Sequence, residues 1–182
     1  MIKTILRYFN GATDLGITYR RDYAENLIAY TDSNYQDKML SGDGRSTSGY
    51  GLYLAGGLIS WSSRRQHCVT TSSTEAEYIG QANAIKQITA ATQFLLELRL
   101  PIIHLPVKLY ADNTSAQSLA YKPAARPRAS HIDAAMHFQR EKVETGLVDI
   151  IHVASGDNAA DGFTKPLNGV KFRRFRELLR VE

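Results

Sequence analysis

Cysteine is almost absent: Cys68 is the only one in 182 residues. A lone thiol closes no internal disulfide, so the fold does not rest on oxidation, and it builds no zinc cluster by itself. A catalytic pair with the adjacent His67 is disfavoured, because neighbours in a strand point to opposite faces. Cys68 instead reads as a small buried apolar residue. Long apolar runs are missing too, which excludes a membrane-spanning helix and leaves no membrane partner to expect. The first ten residues carry Lys3 and Arg7 among their apolar positions and show no apolar core followed by a small-residue cleavage site. The chain therefore reads as intracellular and soluble. It has no internal repeat and no aromatic-rich platform for single-stranded nucleic acid.

What is present suits one ordinary domain with a real core: 43% hydrophobic residues and 22% charged residues. The net charge of +4 is mild, so its distribution matters more than its sum. From Thr164 onward the cations Lys165, Lys171, Arg173, Arg174, Arg176 and Arg180 face only Glu177 and Glu182. Taken alone, that run is a solvated helix face.

Ile2, Ile5, Leu6 and Phe9 recur at helical spacing, with Gly11 as the stop. Leu27 to Thr31 reads as a buried strand ending at Asp32, followed by a polar loop, Ser33 to Ser48. Tyr50 to Leu54 and Leu58 to Ser62 flank Ala55-Gly56-Gly57, a hairpin signal. Ser72 with Glu75 fits a capping box that opens a long helix, whose apolar face holds Tyr78, Ala82, Ile85, Thr92 and Leu95. Val107 to Ala111 is a strand closing on Asp112, and a short helix follows over roughly Thr114 to Ala120. The segment Lys122 to Arg128 is a proline-bearing loop. A helix then opens at Ser130 and Asp133 and stops at Gly146. Val148 to Val153 is the last strand, Asp157 to Thr164 starts another helix, and Phe172, Phe175, Leu178 and Leu179 stripe the final one. This order predicts an α/β fold with a mixed five-stranded sheet, an antiparallel meander plus two parallel strands, and helices on both faces.

Three acids stand out by position. Asp32 and Asp112 end strands, and Asp161 sits in the first turn of a helix after the last strand. Glu77, early in the long helix, can reach the same place from the side. Sites in open α/β sheets form at the carboxyl ends of strands. Clustered carboxylates suit hard divalent cations such as magnesium, and two such ions can flank a scissile phosphate. The bland alternative holds for each acid singly, since an Asp after a strand is commonly a turn former or a helix cap.

Several spaced motifs then carry a resemblance. Tyr30-Thr31-Asp32-Ser33 is similar to the opening motif of the ribonuclease H family, and Tyr110-Ala111-Asp112-Asn113 to its third. The runs Arg45 to Tyr50, Ile59 to Ser63 and Ser72 to Tyr78 resemble the Ty1/copia branch. So do His131-Ile132-Asp133 with His137-Phe138 and Arg140-Glu141, and Ala160-Asp161 with Phe163 to Leu167. The match covers roughly residues 27 to 180. It implies a ribonuclease H-like fold and an endonuclease cutting the RNA strand of RNA–DNA hybrids. It also implies four metal carboxylates at Asp32, Glu77, Asp112 and Asp161, and two Mg2+ ions, with Mn2+ as a substitute. Between Glu75 and Glu77 it selects Glu77, which precedes the aromatic position, and leaves Glu75 as the cap partner.

The implied layout is residues 1–26 as a remnant of an upstream polymerase connection, 27–167 as the nuclease domain and 168–182 as a basic helix packed on it. The upstream reverse transcriptase domain is then a partner. Location would be cytoplasmic, in retroelement particles, or nuclear. One departure stands out: the loop before the fourth acid reads Ala154-Ser155-Gly156, where cellular members carry a His. His152 lies close but within the strand.

A hybrid is read through its backbone and its 2′-hydroxyls. Candidate contacts are Arg45, Ser46, Arg64 and Arg65 around the hairpin, Ser72 and Ser73 at the helix start, Lys122, Arg126 and Arg128 in the proline-bearing loop, and His131. The capping role is the competing account of Ser72. His131 and His137 are six apart, which places no tight ligand pair on one helix face; His137 reads as a core or interface residue. Two rival functions share these features: an integrase- or resolvase-like DNA nuclease, and an inactive hybrid-binding module derived from a retroelement.

Overall fold

A computed structural model describes residues 2–20, 26–35, 43–99, 104–121 and 130–182. Strand β1 (Ile28–Asn34) pairs antiparallel with β2 (Thr47–Leu54), which pairs antiparallel with β3 (Gly57–Arg65). Helix α2 (Ser73–Glu97) leads to β4 (Val107–Ala111), helices α3 (Thr114–Tyr121) and α4 (Ser130–Glu144), and β5 (Val148–His152). β4 joins β1 in parallel and β5 joins β4 in parallel, giving the order β3-β2-β1-β4-β5. The expected mixed five-stranded sheet is thus present. Helices α1 (Ile2–Asn10) and α5 (Gly169–Leu178) stand at the two ends of the chain.

Strand periodicity divides the side chains between two layers. Ala29, Leu52, Leu109 and Ile150 face α2, where they meet Ile85 and Ile88, all within 2% of complete burial. Burying each such leucine or isoleucine contributes about 1.5–3 kcal/mol. Ile28, Tyr30 and Tyr53 face the other way, against Phe163, Leu178 and Leu179 of the C-terminal segment. The β2–β3 turn has Ala55 and Gly56 both at positive φ, as a two-residue I′ hairpin requires. The N-terminal segment joins this second layer. Ile17 bridges Val181, and the Tyr19 hydroxyl donates to the Leu58 carbonyl at 2.7 Å. Helix α1 buries none of its residues and touches the rest through Tyr8 edge-on to Phe172.

Four expectations need correction. β1 does not end at Asp32 but runs to Asn34, because Asp32, Ser33 and Asn34 still pair with Gly49, Ser48 and Thr47. Asp157 to Thr164 is not a helix but two short 3-10 turns, Ser155–Asp157 and Asp161–Phe163. Asn158 breaks it: its amide donates to the Thr31 carbonyl at 3.0 Å and its oxygen accepts from Ala160 N at 3.0 Å, which holds the chain extended against β1. His137 is no core residue. It is 75% exposed, 3.6 Å from Asp133 one turn earlier, while Met136 and Gln139 take the buried face of α4. Cys68 is only partly buried, in the bend after β3.

Candidate metal centre and nucleic-acid surface

The parallel register of β1 and β4 aligns Tyr30 with Tyr110, and continuing it sets Asp32 level with Asp112 at the carboxyl end of the sheet. Asn113 then caps α3, its side chain accepting from Ala116 N at 2.9 Å, so Asp112 sits at the strand-to-helix junction. Glu77 arrives on α2, whose start is pinned twice. The Ser72 hydroxyl accepts from Glu75 N at 3.2 Å. Gln66, at the end of β3, donates to Ser48 Oγ at 2.7 Å and to the Ala76 carbonyl at 2.8 Å. α2 also crosses β1 at Gly80, where any Cβ would lie 2.3 Å from Ser33 Oγ. That close approach drops Glu77 onto the sheet end.

The result is a cluster in which carboxylate oxygens of Asp32, Glu77 and Asp112 all lie within 4.8 Å of one another. Asp32 is 1% exposed and Glu77 7%. Burial, reinforced by Asp32 and Asp112, pushes the Glu77 carboxyl up to about 9. Burial also raises Asp32, against the pull of Lys165 and a hydrogen bond from Thr164. Glu77 Oε2 is buried with no hydrogen-bond partner. A buried, unpaired oxygen among three close carboxylates is costly unless a cation sits there. The donor set is all oxygen, so the residues fit a hard divalent ion.

Asp161 does not join the three. It lies on the second 3-10 turn, and its carboxylate accepts a hydrogen bond from the Lys165 ammonium. The same ammonium stands 3.6 Å from Asp32 Oδ2, which also accepts from the Thr164 hydroxyl. Burial works against the Lys165 charge, but Asp32 and Asp161 outweigh it and raise its pKa. This turn presses on β2: a Cβ at Gly49 would lie 2.6 Å from Phe163 Cβ and 2.9 Å from Thr164 Cγ2. In the loop without a histidine, Ser155 donates to Asp112 Oδ2 at 2.7 Å. His152 is exposed at the end of β5.

The sequence reading missed Lys165, Thr164, Ser155 and Gly49 as parts of the site. Gly49, Thr164 and Lys165 fall within the runs that carry the family resemblance, but those runs assigned them no role in the site.

Of the expected nucleic-acid contacts, Arg64 and Arg65 line a groove of about 920 Å³ between the hairpin and α2, together with Trp61, His67, Asn83 and Lys86. Trp61 is 62% exposed there. Arg45 and Arg65 both engage Asp43. Ser46 is withdrawn from the surface, fully buried with its hydroxyl 3.0 Å from Thr70 Oγ1. Ser72 serves as the cap, and Ser73 is exposed beside it. Glu75 departs from the expected box: its carboxylate accepts from Thr71 N at 2.7 Å and Thr71 Oγ1 at 2.8 Å, one residue ahead of the cap. Lys122, Arg126 and Arg128 lie outside the described residues, and His131 is placed only as backbone in α4.

No family model matches the chain. Solved structures share its architecture. An RNase H1 isolated from compost superposes with a TM-score of 0.56 at 17% identity, over 77% of this chain and 93% of that one. RNase H1 from the archaeon Halobacterium salinarum gives 0.52 at 19% identity, over 76% and 94%. The sheet order, the helices on it and these neighbours define a ribonuclease H-like fold.

Sequence kinship is narrower. The chain is 38% identical over 180 residues to the retrovirus-related Pol polyprotein from transposon RE2 of Arabidopsis thaliana. It is 34% identical over 181 residues to that from transposon TNT 1-94 of Nicotiana tabacum. It is thus a retrotransposon Pol relative over 98–99% of its own length, while spanning only 12–13% of those polyproteins.

Proposed function

We propose that the chain hydrolyses the RNA strand of RNA–DNA hybrids as the ribonuclease H part of a retrotransposon reverse transcriptase. The observation that carries the reading is the carboxylate cluster at the sheet end, with Glu77 Oε2 buried and unpartnered inside it. Kinship to Pol polyproteins supports the setting. A compost RNase H1 of the same fold is known in complex with an RNA/DNA hybrid, which supports the substrate.

Asp32, Glu77 and Asp112 would hold Mg2+ or Mn2+, with Asp161 as the fourth ligand once Lys165 is displaced. Bound there, two divalent ions would lower the pKa of an attacking water and stabilise the leaving oxygen. The chain's own residues orient the cluster. Thr164 and Ser155 each hold one carboxylate oxygen, of Asp32 and Asp112, and so fix which oxygens remain for ligation. Arg64, Lys86 and the exposed Trp61 offer a cationic and aromatic groove for backbone phosphates. Ser73, beside the capped start of α2, is the hydroxyl free to approach a 2′-OH.

The test is incubation of the purified chain with an end-labelled hybrid in Mg2+, Mn2+ or chelator, beside Asp112→Asn. Metal-dependent cleavage of the RNA strand that vanishes in the variant is the expected result. Cleavage of duplex DNA but not hybrid would assign a DNA nuclease instead. Hybrid binding without cleavage, at high protein concentration in Mn2+, would assign a binding module.

A further inference from the structure

Lys165 sits where the metal reading leaves least room for a lysine. Its ammonium bridges Asp161, which donates nothing to the three-carboxylate cluster, and Asp32, which does. The side chain is 38% exposed, and Asp32's is 2% exposed. Such an arm reaches in from solvent to a buried carboxylate, and its stem lines a cleft of about 320 Å³ that also holds Ser155, Asn158, Lys171 and Arg174. An ammonium and a divalent cation compete for the same oxygens, because each satisfies carboxylate charge at short range. Two carboxylates flanking one cation is the arrangement a second metal would take. Asp161 lines the same cleft, and Arg174 there is already paired with Asp157 and Glu177, so the carboxylates that hold the ammonium are Asp161 and Asp32.

We propose that Lys165 is a resident counter-ion standing in the second cation's place, so that the chain without substrate binds one divalent ion and Asp161 is withheld from metal. This rests on the metal-dependent nuclease reading above and adds to it a positioning residue. The first ion takes Asp32, Glu77 and Asp112, where Glu77 Oε2 has no other partner. The second site opens only when the ammonium moves out of the Asp32–Asp161 gap.

Titration of the purified chain with Mn2+, reading free ion by electron paramagnetic resonance, tests this without any activity assay. The native chain should bind one ion per chain. Lys165→Met, which keeps the stem and removes the charge, should bind two, the second at least roughly tenfold more tightly than in the native chain. Lys165→Arg, which keeps the charge, should stay at one. Adding Asp161→Asn to the Met variant should return it to one, while Asp161→Asn in the native background should change nothing. Thermal melts confirm that each variant is folded, with Lys165→Gln replacing the Met variant if that one is not.

Equal stoichiometry and affinity in the native chain and a folded uncharged variant would overturn the proposal and leave the nuclease reading standing. Absence of Mn2+ binding from all of them would overturn the metal reading itself, and the proposal with it.

Discussion

Glu75 and Glu77 lie two residues apart, and their surroundings give them opposite work. Glu75 is partly exposed and spends its carboxylate on Thr71, ahead of the helix cap. Glu77 is buried with one oxygen unpartnered, facing two other acids. Glu75→Ala should therefore cost on the order of 1 kcal/mol in urea denaturation, as loss of a cap does, and leave hybrid cleavage near the native rate. Glu77→Gln should lose most metal-dependent cleavage while leaving the metal-free protein at least as stable, because it removes a buried carboxyl that folding must keep protonated. Equal loss of cleavage in both variants, with both stable, would show the division to be wrong. At this scale the sequence was most legible where chemistry and spacing are covalently linked, as in the run from Ser72 to Tyr78. It was least legible where partners are distant: the Thr164–Asp32 bond spans 132 positions, so the motif that contains Thr164 does not reveal its partner.

At the scale of elements, strands and long helices followed from side-chain periodicity, and β4 spans Val107–Ala111 as the sequence predicts. The segment after β5 did not, because its conformation is decided by what it docks on. Asn158 trades helical geometry for a bond to β1, and the second turn is pressed onto β2 at Gly49. That contact argues a prediction. A methyl group at residue 49 would have to push Phe163 and Thr164 outward, and with them the turn that carries Asp161 and the hydroxyl held by Asp32. Gly49→Ala should cost about 1–3 kcal/mol, as overpacking does. It should also lower hybrid cleavage beyond what the stability loss explains at a temperature where the variant is fully folded. A variant with native melting temperature and native rate would show that the turn yields freely and that its contact with β2 does not position the site.

Across the whole molecule, the carboxyl ends of β1 and β4 concentrate negative charge in a protein that is otherwise mildly basic, and folding must bear that cost when no cation is bound. Glu77 titrates near 9 in the folded protein against an ordinary 4.5, and Asp32 is raised as well. Between those limits the folded state holds protons that the unfolded chain releases, so stability falls as pH rises. Lys165, raised above its ordinary value, stays charged throughout this window and does not reverse the trend. The metal-free protein should therefore lose thermal stability from pH 5 to pH 9 through this cluster. A divalent ion replaces the protons and removes the penalty, so its stabilising effect should grow with pH. Melting temperatures with Mg2+ and with chelator should diverge from pH 6 to pH 9, and Glu77→Gln should shrink that divergence. A Mg2+ increment independent of pH, or one that survives Glu77→Gln unchanged, would mean that the ion stabilises the fold somewhere other than at these carboxylates.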